Sequence, residues 1–189
     1  MKKIAVFASG NGTNAENICN YFINNKDVSV VLLATNKKTS FVVKRIKKFN
    51  VPVFYFTKEE LNNTSVVQKK LLECSVDLII LSGFLLKIPK NIISLFPNKI
   101  INIHPSLLPK FGGKGMYGEN VCKSVIDAKE FQSGITIHYV NNNYDEGNII
   151  FQEKFTLPKN ETLEGLLEKI KVLELRFFPI IVEKVINSL

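Results

Sequence analysis

Histidine is scarce in this sequence: only His104 and His138 occur among 189 residues. Cysteine is nearly as rare, and Cys19, Cys74 and Cys122 stand too far apart to form a metal-binding motif. Their odd number fits a reducing compartment better than a set of disulfide bonds. No apolar run approaches the roughly 18 to 20 residues that a membrane-spanning helix needs. These absences argue against a disulfide-stabilised fold, a cysteine-bound metal and a membrane protein.

The amino-terminal residues resemble a secretion signal at first sight, because two lysines precede a short apolar run. That run extends only from Ile4 to Ala8, and glycines follow at positions 10 and 12. We therefore interpret it as the first β-strand of a cytoplasmic protein. Hydrophobic residues make up 46% of the chain and charged residues 22%, which is typical of a globular protein. The length then predicts one domain, residues 1–189, with a substantial core.

Positive charge exceeds negative charge, with a formal net charge of +8 and a pI of about 9.3. The lysines occur singly or in pairs rather than in one long block. This distribution does not predict binding to nucleic acid or to a membrane. It is compatible with a small phosphorylated or carboxylated substrate, and also with a lysine-rich surface that has no partner. Nothing in the pattern decides between a monomer and a homodimer.

Apolar runs alternate with helical patterns along most of the chain. We predict strands over residues 3–8, 28–34, 51–56, 76–81 and 99–103, and helices over 15–24, 41–48, 65–73 and 119–128. Strands that are apolar throughout, separated by helices, indicate an α/β fold: a Rossmann-like, mostly parallel sheet with helices on both faces. Residues 134–141 and 148–155, joined by a short polar turn, predict an antiparallel hairpin. A last helix is expected from an N-cap at Thr162 to Asn187, with a kink at Pro179.

The segment SGNGTNAEN, residues 9–17, follows the first predicted strand. Gly10, Gly12 and Ala15 match the dinucleotide-binding pattern G-x-G-x-x-G/A. That pattern also requires an acid at the end of the second strand, where this chain has LLATNKK and no carboxylate. A nicotinamide site is therefore disfavoured. Glycines before a helix N-terminus would suit a phosphate ester, and the alternative is a plain tight turn.

The segment NIHPSLLP, residues 102–109, places Asn102 and His104 two residues apart at the end of a predicted strand. Their side chains therefore share one face of the sheet, about 7 Å apart along the strand. In parallel sheets the carboxyl ends of the strands are where ligands bind. An amide can donate to a developing oxyanion and an imidazole can move protons, which suits acyl transfer to an amine. The alternative is a structural histidine that bonds to the backbone.

The segment YDEG, residues 144–147, lies in the turn of the predicted hairpin. Aspartate is common in turns, so Asp145 by itself does not indicate a functional role. If the hairpin brings it beside His104, its carboxylate would orient the ring and raise the pKa of the histidine, so that the imidazolium is populated near neutral pH. His138, in GITIHYV, alternates within a strand, and we expect it to be structural or supporting rather than catalytic.

The motifs SGNGTN, SGF, NIHPSLLP, GITIHYV and YDEG occur together, in order, from residue 3 to the last helix. This combination resembles the phosphoribosylglycinamide formyltransferase family of the formyltransferase superfamily. NIHPSLLP is a marker of the superfamily, and SGNGTN narrows it towards a ribonucleotide substrate. The resemblance implies transfer of a formyl group from the co-substrate 10-formyltetrahydrofolate to the amine of 5-phosphoribosylglycinamide. It implies small-molecule partners and no metal.

The resemblance also implies roles for individual residues. Asn102, His104 and Asp145 would be the catalytic trio. The ribonucleotide would contact Gly12, Thr13, Asn14, Lys171 and Glu174, and the folate would contact Leu85, Leu86, Lys87, Ile88 and Asn102.

The chain departs from this family at two places. It has GFLLK, residues 83–87, where many members have GFMR, so an arginine is absent at Leu86. It also has no basic residue at 62–64, where members often carry an arginine that contacts the glutamate tail of the folate. Both departures concern that tail rather than formyl transfer. Residues 111–120, FGGKGMYGEN, resemble a flexible active-site loop, and a surface loop is the alternative.

Three alternative functions are open at this point. Formyltetrahydrofolate deformylase carries an additional amino-terminal domain and methionyl-tRNA formyltransferase an additional carboxyl-terminal one, so the length of this chain favours neither. A non-catalytic phosphate- or nucleotide-binding module would keep the glycine turn. Such a module would have no need for Asn102, His104 and Asp145 to surround one cavity, so geometry distinguishes it from an enzyme.

Overall fold

Seven strands and seven α-helices form the fold in the computed structural model, which describes residues 1–189. The strands are β1 (Lys2–Phe7), β2 (Val28–Thr35), β3 (Val53–Tyr55), β4 (Leu78–Leu81), β5 (Ile100–His104), β6 (Gln132–Tyr139) and β7 (Ile149–Thr156). The α-helices are α1 (Thr13–Phe22), α2 (Phe41–Ile46), α3 (Lys58–Asn63), α4 (Val66–Glu73), α5 (Lys90–Leu95), α6 (Glu119–Asp127) and α7 (Leu163–Asn187). A short 3₁₀ helix, Lys47–Phe49, continues α2.

All seven strands belong to one sheet in the order β3-β2-β1-β4-β5-β6-β7. The first five strands pair in parallel, whereas β6 pairs antiparallel with both β5 and β7. The predicted Rossmann-like, mostly parallel sheet with an antiparallel hairpin is confirmed. The carboxyl ends of the five parallel strands therefore lie along one edge, where a ligand site is expected.

The sheet is covered on both faces, because successive residues of its central strands enter two different cores. In β1, Ile4 and Val6 point into a core formed with α1, α2, α6 and α7. Ala5 and Phe7 point into a second core formed with α3, α4 and α5. Burial on both faces explains why the central strands are apolar throughout rather than alternating.

Two short helices, α3 and α5, were not predicted. α3 begins at a capping box, in which the Thr57 hydroxyl accepts from Glu60 N at 3.1 Å and the Glu60 carboxylate accepts from Thr57 N at 2.7 Å. α5 begins directly after Pro89, a residue that fixes φ in the helical range and cannot donate from its nitrogen. Each helix has six residues, too few to show an apolar periodicity.

The longest helix, α7, begins as predicted at Thr162, whose hydroxyl accepts from Gly165 N at 3.0 Å. It packs along α1, where Asn17 Nδ2 donates to the carbonyl of Leu175 at 2.7 Å. Pro179 lies inside the helix. None of the helices combines the length and the apolar character needed to span a lipid bilayer.

Candidate active site

The strand β5 delivers Asn102 and His104 to the same face of the sheet. Ile101 and Ile103 point into the core beside α6 and α7, so Asn102 and His104, which alternate with them, point to the other face. The strand ends at His104 and Pro105 follows it, as the sequence predicted. His104 is only 3% exposed, and its ring lies at the base of a cavity.

One ring nitrogen of His104 is hydrogen-bonded within the protein, and the other has no hydrogen bond. Nε2 lies 2.8 Å from the carbonyl oxygen of Phe111, and because a carbonyl only accepts, Nε2 carries the proton. Phe111 is held at φ 55°, in the left-handed region, and presents its carbonyl to the ring. Nδ1 therefore lacks a proton in the neutral ring, and it lies 3.7 Å from Asp145 Oδ2. Proton exchange at His104 is confined to Nδ1.

Asp145 lies in the turn between β6 and β7 and connects the elements of the site. Its Oδ2 accepts from Gly113 N at 2.9 Å, and its Oδ1 lies 3.6 Å from His138 Nε2. Burial raises the pKa of Asp145, but the nearby His138 and His104 rings and the Gly113 N–H together lower it below its usual value. The carboxylate is therefore ionised near neutral pH.

The pKa of His104 lies below its usual value of 6.5, chiefly because burial disfavours the charged ring. Asp145 and the Phe111 carbonyl act in the opposite direction, and His138 adds to the lowering. The expectation that Asp145 would populate the imidazolium near neutrality is therefore wrong for the protein without ligands. Asp145 does favour the charged ring, but burial outweighs it, and His104 is mostly neutral at pH 7.

His138 was expected to be structural or supporting, and it contacts two residues of the trio. It lies directly opposite Asn102 in the antiparallel ladder. Its Nδ1 donates to the carbonyl of Tyr139 at 2.8 Å, so its Nε2 accepts from Asn102 Nδ2 at 3.1 Å. This contact fixes the orientation of the Asn102 amide. The second N–H of that amide remains free for another acceptor.

The turn after β1 has the conformation that its glycines predict. Gly12 has φ 78°, and a Cβ at this position would lie 2.3 Å from Val42 Cγ2, so only glycine fits without displacing α2. The turn leads into α1, whose first N–H groups have no partner within the helix. Phosphate groups bind readily to this arrangement.

Helix α7 brings a carboxylate to the same turn. Asn14 Nδ2 donates to Glu174 Oε2 at 2.7 Å. Burial raises the pKa of Glu174 to about 7, although the bond from Asn14 acts to lower it. The amide oxygen of Asn14 is buried and has no partner in the protein. Lys171, one turn earlier on α7, also faces this end of the cavity.

One cavity of about 980 Å³ joins all of these features. Every residue that the sequence analysis proposed for the site lines it: Gly12, Thr13, Asn14, Leu85, Leu86, Lys87, Ile88, Asn102, His104, Asp145, Lys171 and Glu174. The glycine turn and α7 form one end, the segment after β4 forms the other, and the trio lies between them. A volume of this size lies at the upper end of the range of about 300 to 1,000 Å³ that is typical of small-molecule sites. A non-catalytic binding module would not need Asn102, His104 and Asp145 in the same cavity as the glycine turn, so this geometry favours an enzyme.

The sequence left residues 111–120 open between an active-site loop and a surface loop. Gly113–Glu119 line the cavity, and Gly113, Gly115 and Gly118 have positive φ. The sequence analysis missed two other lining residues, Ser82 and Tyr144. Ser82, at the end of β4, has a buried hydroxyl without a partner. Tyr144 places its ring 5.1 Å from Lys87 Nζ at the end of the cavity formed by the segment after β4. The strand-end position of Ser82 was a usable signal, whereas the Lys87–Tyr144 contact depends on how two loops fold together.

Comparison with known proteins agrees with this geometry. The family model described as formyl transferase matches residues 2–182. The chain is 36% identical over 192 residues to phosphoribosylglycinamide formyltransferase of Bacillus subtilis, with 99% of this chain and 96% of that protein covered. It is 40% identical over 177 residues to the chloroplastic enzyme of the same name from Arabidopsis thaliana, covering 89% of this chain and 60% of that longer protein.

A solved structure shows the same likeness in three dimensions. The crystal structure of phosphoribosylglycinamide formyltransferase from Bacillus halodurans superposes with a TM-score of 0.87 at 34% sequence identity. The superposition covers 97% of this chain and 95% of that one.

Proposed function

The chain belongs to the formyl transferase family, and we propose that it transfers the formyl group of 10-formyltetrahydrofolate to the amine of 5-phosphoribosylglycinamide. The products are 5-phosphoribosyl-N-formylglycinamide and tetrahydrofolate, and the reaction is a step of purine biosynthesis. The observation that carries the proposal is the single cavity shared by Asn102, His104, Asp145 and the glycine turn. We place the enzyme in the cytoplasm as one formyltransferase domain, residues 1–189, acting on small molecules rather than on nucleic acid or membranes.

The ribonucleotide occupies the end of the cavity formed by the glycine turn and α7. Its phosphate accepts hydrogen bonds from the backbone of Gly12, Thr13 and Asn14 at the start of α1. Lys171 and Glu174 contact the rest of the ribonucleotide from α7. The folate lies against Leu85, Leu86, Lys87 and Ile88, and the formyl group is placed beside the trio.

Asn102, His104 and Asp145 then stabilise the charge on the formyl oxygen and transfer the proton of the amine. As the amine attacks the formyl carbon, negative charge develops on the formyl oxygen. The free N–H of Asn102 donates to that oxygen, held in place by the contact between Asn102 and His138. His104 enters neutral, and its Nδ1 takes the proton that the amine loses.

Asp145 stabilises the ring once it is charged. The carboxylate lies 3.7 Å from Nδ1, so it favours the imidazolium that forms during the reaction. The protonated Nδ1 can then donate to the oxyanion and deliver the proton, directly or through water, to the departing folate nitrogen. One C–N bond forms, one C–N bond breaks, and the proton passes from one nitrogen to the other.

A spectrophotometric assay tests the proposal. Mixing the protein with both substrates should release tetrahydrofolate in proportion to the formylated ribonucleotide. The same assay with the folate alone measures deformylase activity, and we expect it to be negligible. Release without the ribonucleotide would favour the deformylase alternative. Binding of the ribonucleotide without any transfer would favour the non-catalytic module.

A further inference from the structure

Helix α2 packs against the outer side of the glycine turn and contacts three consecutive residues of it. Val42 N donates to the carbonyl of Gly10 at 3.1 Å. Arg45 Nε donates to the carbonyl of Asn11 at 2.9 Å. Gly12 lies so close to Val42 that no side chain fits between them. Contacts with α2 therefore fix the conformation of the turn.

Arg45 makes the largest share of these contacts, and its orientation is fixed from several sides. A second guanidinium nitrogen, NH2, donates to Asn11 Oδ1 at 3.3 Å. The third nitrogen, NH1, pairs with Glu16 Oε2 at 2.5 Å, and Lys48 Nζ holds the other oxygen of that carboxylate at 2.6 Å. The guanidinium carbon lies 4.9 Å from the ring centroid of Phe41. Arg45 does not line the cavity, so it contacts the turn and not the ligand space.

Because peptide units are planar, the contacts with α2 on the outer side of the turn also fix the direction of its N–H groups on the side that faces the cavity. In a trans peptide unit the C=O and the following N–H point in opposite directions. With the carbonyl of Asn11 held by Arg45, the N–H of Gly12 points away from α2. The carbonyl of Gly10, held by Val42, does the same for the N–H of Asn11. Neither N–H donates to any group of the protein, and both residues line the cavity.

We propose that Arg45 is a positioning residue for phosphate binding, acting through Asn11 to aim the Gly12 N–H into the cavity. The inference rests on the proposed function, because it assumes that the phosphate of the ribonucleotide binds at this turn. The guanidinium pairs with Glu16 and lies outside the cavity lining, so Arg45 acts by orientation rather than by direct contact with the phosphate. Arg45 thus gives α2, a helix that does not contact the substrate, a role in phosphate binding.

Three variants separate orientation from charge. Arg45→Met removes the charge and both contacts with Asn11. Arg45→Lys keeps the charge but has one nitrogen in place of a two-pronged donor. Lys48→Met is the matched control, since it removes the same charge and a contact with the same carboxylate but touches no residue of the turn.

Two measurements apply to each variant: calorimetric binding of ribose 5-phosphate, and steady-state kinetics with both substrates. For Arg45→Met we expect ribose 5-phosphate affinity to fall at least tenfold and KM for the ribonucleotide to rise in parallel. The KM for the folate and the thermal midpoint should change little, and kcat at saturation should stay within about twofold. Arg45→Lys should recover only part of the loss, and Lys48→Met should remain within about twofold of wild type.

Equal losses in Arg45→Met and Lys48→Met would overturn the proposal, because charge alone would then explain them. Unchanged ribose 5-phosphate affinity in Arg45→Met would overturn it as well, and so would a matching rise in the folate KM. If Arg45→Met does not fold, Arg45→Lys compared with Lys48→Met decides the question. Arg45-dependent binding of ribose 5-phosphate by a protein that transfers no formyl group would refute the proposed function and support this inference.

Discussion

At the scale of single residues, His104 combines two properties that are usually in conflict. A buried imidazole is easily kept neutral, since burial disfavours the charged ring. A proton acceptor must nevertheless become charged during the reaction. The Asp145 carboxylate, 3.7 Å from Nδ1, lowers the cost of that step without populating the charged ring beforehand. In the proposed mechanism His104 is thus a base in the resting protein and becomes a donor only after it has taken a proton.

Removing either donor should affect the chemical step more than binding. Asn102→Ala and His104→Ala should each lower kcat by about 10² to 10³, the usual cost of losing one oxyanion donor. KM should change modestly, since the interaction strengthens only as charge develops. Asn91→Ala, an exposed amide on α5 outside the cavity, is the control and should retain wild-type kcat. A folded His104→Ala enzyme with most of its activity would show that this histidine is structural.

The pH dependence of the reaction should identify the partner of His104. The rate should fall as the pH drops through the pKa of His104, which lies below 6.5, because the protonated ring cannot accept the amine proton. Asp145 raises that pKa, so Asp145→Asn should move the acid limb to lower pH as well as lower the rate. Glu146→Gln removes the exposed acid next in sequence and should leave the profile in place. The measurement is kcat/KM against pH for the three proteins; an unmoved limb in Asp145→Asn would exclude this coupling.

At the scale of elements, the sequence predicted the strands and helices that show a clear apolar pattern. It missed the short helices and the side-chain contacts between distant segments. The parallel strands and α7 were predicted with bounds within a few residues, because each coincides with an apolar run or an apolar helical pattern in the sequence. The helices α3 and α5 were too short for that signal, although the Thr57–Glu60 capping box was visible. The partnership of His138 with Asn102 depends on the register between β5 and β6, which the alternating pattern alone does not specify.

The packing of α7 against α1 has a consequence for stability, because it partly buries Glu174. The pKa of this carboxyl is about 7 in the folded protein, against 4.5 ordinarily, so the folded state retains its proton at higher pH than the unfolded state. The corresponding stability is fully present below pH 4.5 and is lost as the pH rises through about 7. Cys122, with a pKa raised to about 11 by burial, stays protonated over this range.

Glu174→Gln should therefore be more stable than wild type at pH 8 and nearly equal to it at pH 4.5. The expected difference is on the order of 2 kcal/mol, after allowance for water entering through the cavity. The amide oxygen of glutamine can still accept from Asn14 Nδ2, so the contact between the helices is preserved. Urea unfolding of both proteins at the two pH values measures the difference. A constant gap across the pH range would contradict the raised pKa.

At the scale of the whole molecule, the positive charge is concentrated although the lysines are scattered singly and in pairs. Residues 28–58 hold seven lysines or arginines and no acid, so this stretch carries +7 of the net charge of +8. It includes β2, α2 and β3, and its loop after β2 meets the glycine turn, where Ser9 Oγ donates to Asn36 Oδ1 at 2.7 Å. The excess charge therefore lies beside the end of the cavity where we propose that the phosphate binds. A field placed there would attract a phosphorylated substrate before it binds.

Ionic strength tests whether this field assists capture of the ribonucleotide. The Debye length falls from about 10 Å at 0.1 M salt to about 3 Å at 1 M, so kcat/KM for the ribonucleotide should decline as salt is added. The double variant Lys37→Gln and Lys38→Gln removes two exposed charges beside the turn, and it should lower kcat/KM at low salt and flatten the dependence. Lys2→Gln with Lys26→Gln removes two charges at the amino ends of β1 and β2, about 20 to 25 Å away along the strands, and should do neither. Equal effects of the two double variants, or a kcat/KM that ignores salt, would mean that the surface is merely rich in lysine. The field acts before contact, so kcat should remain unchanged in both.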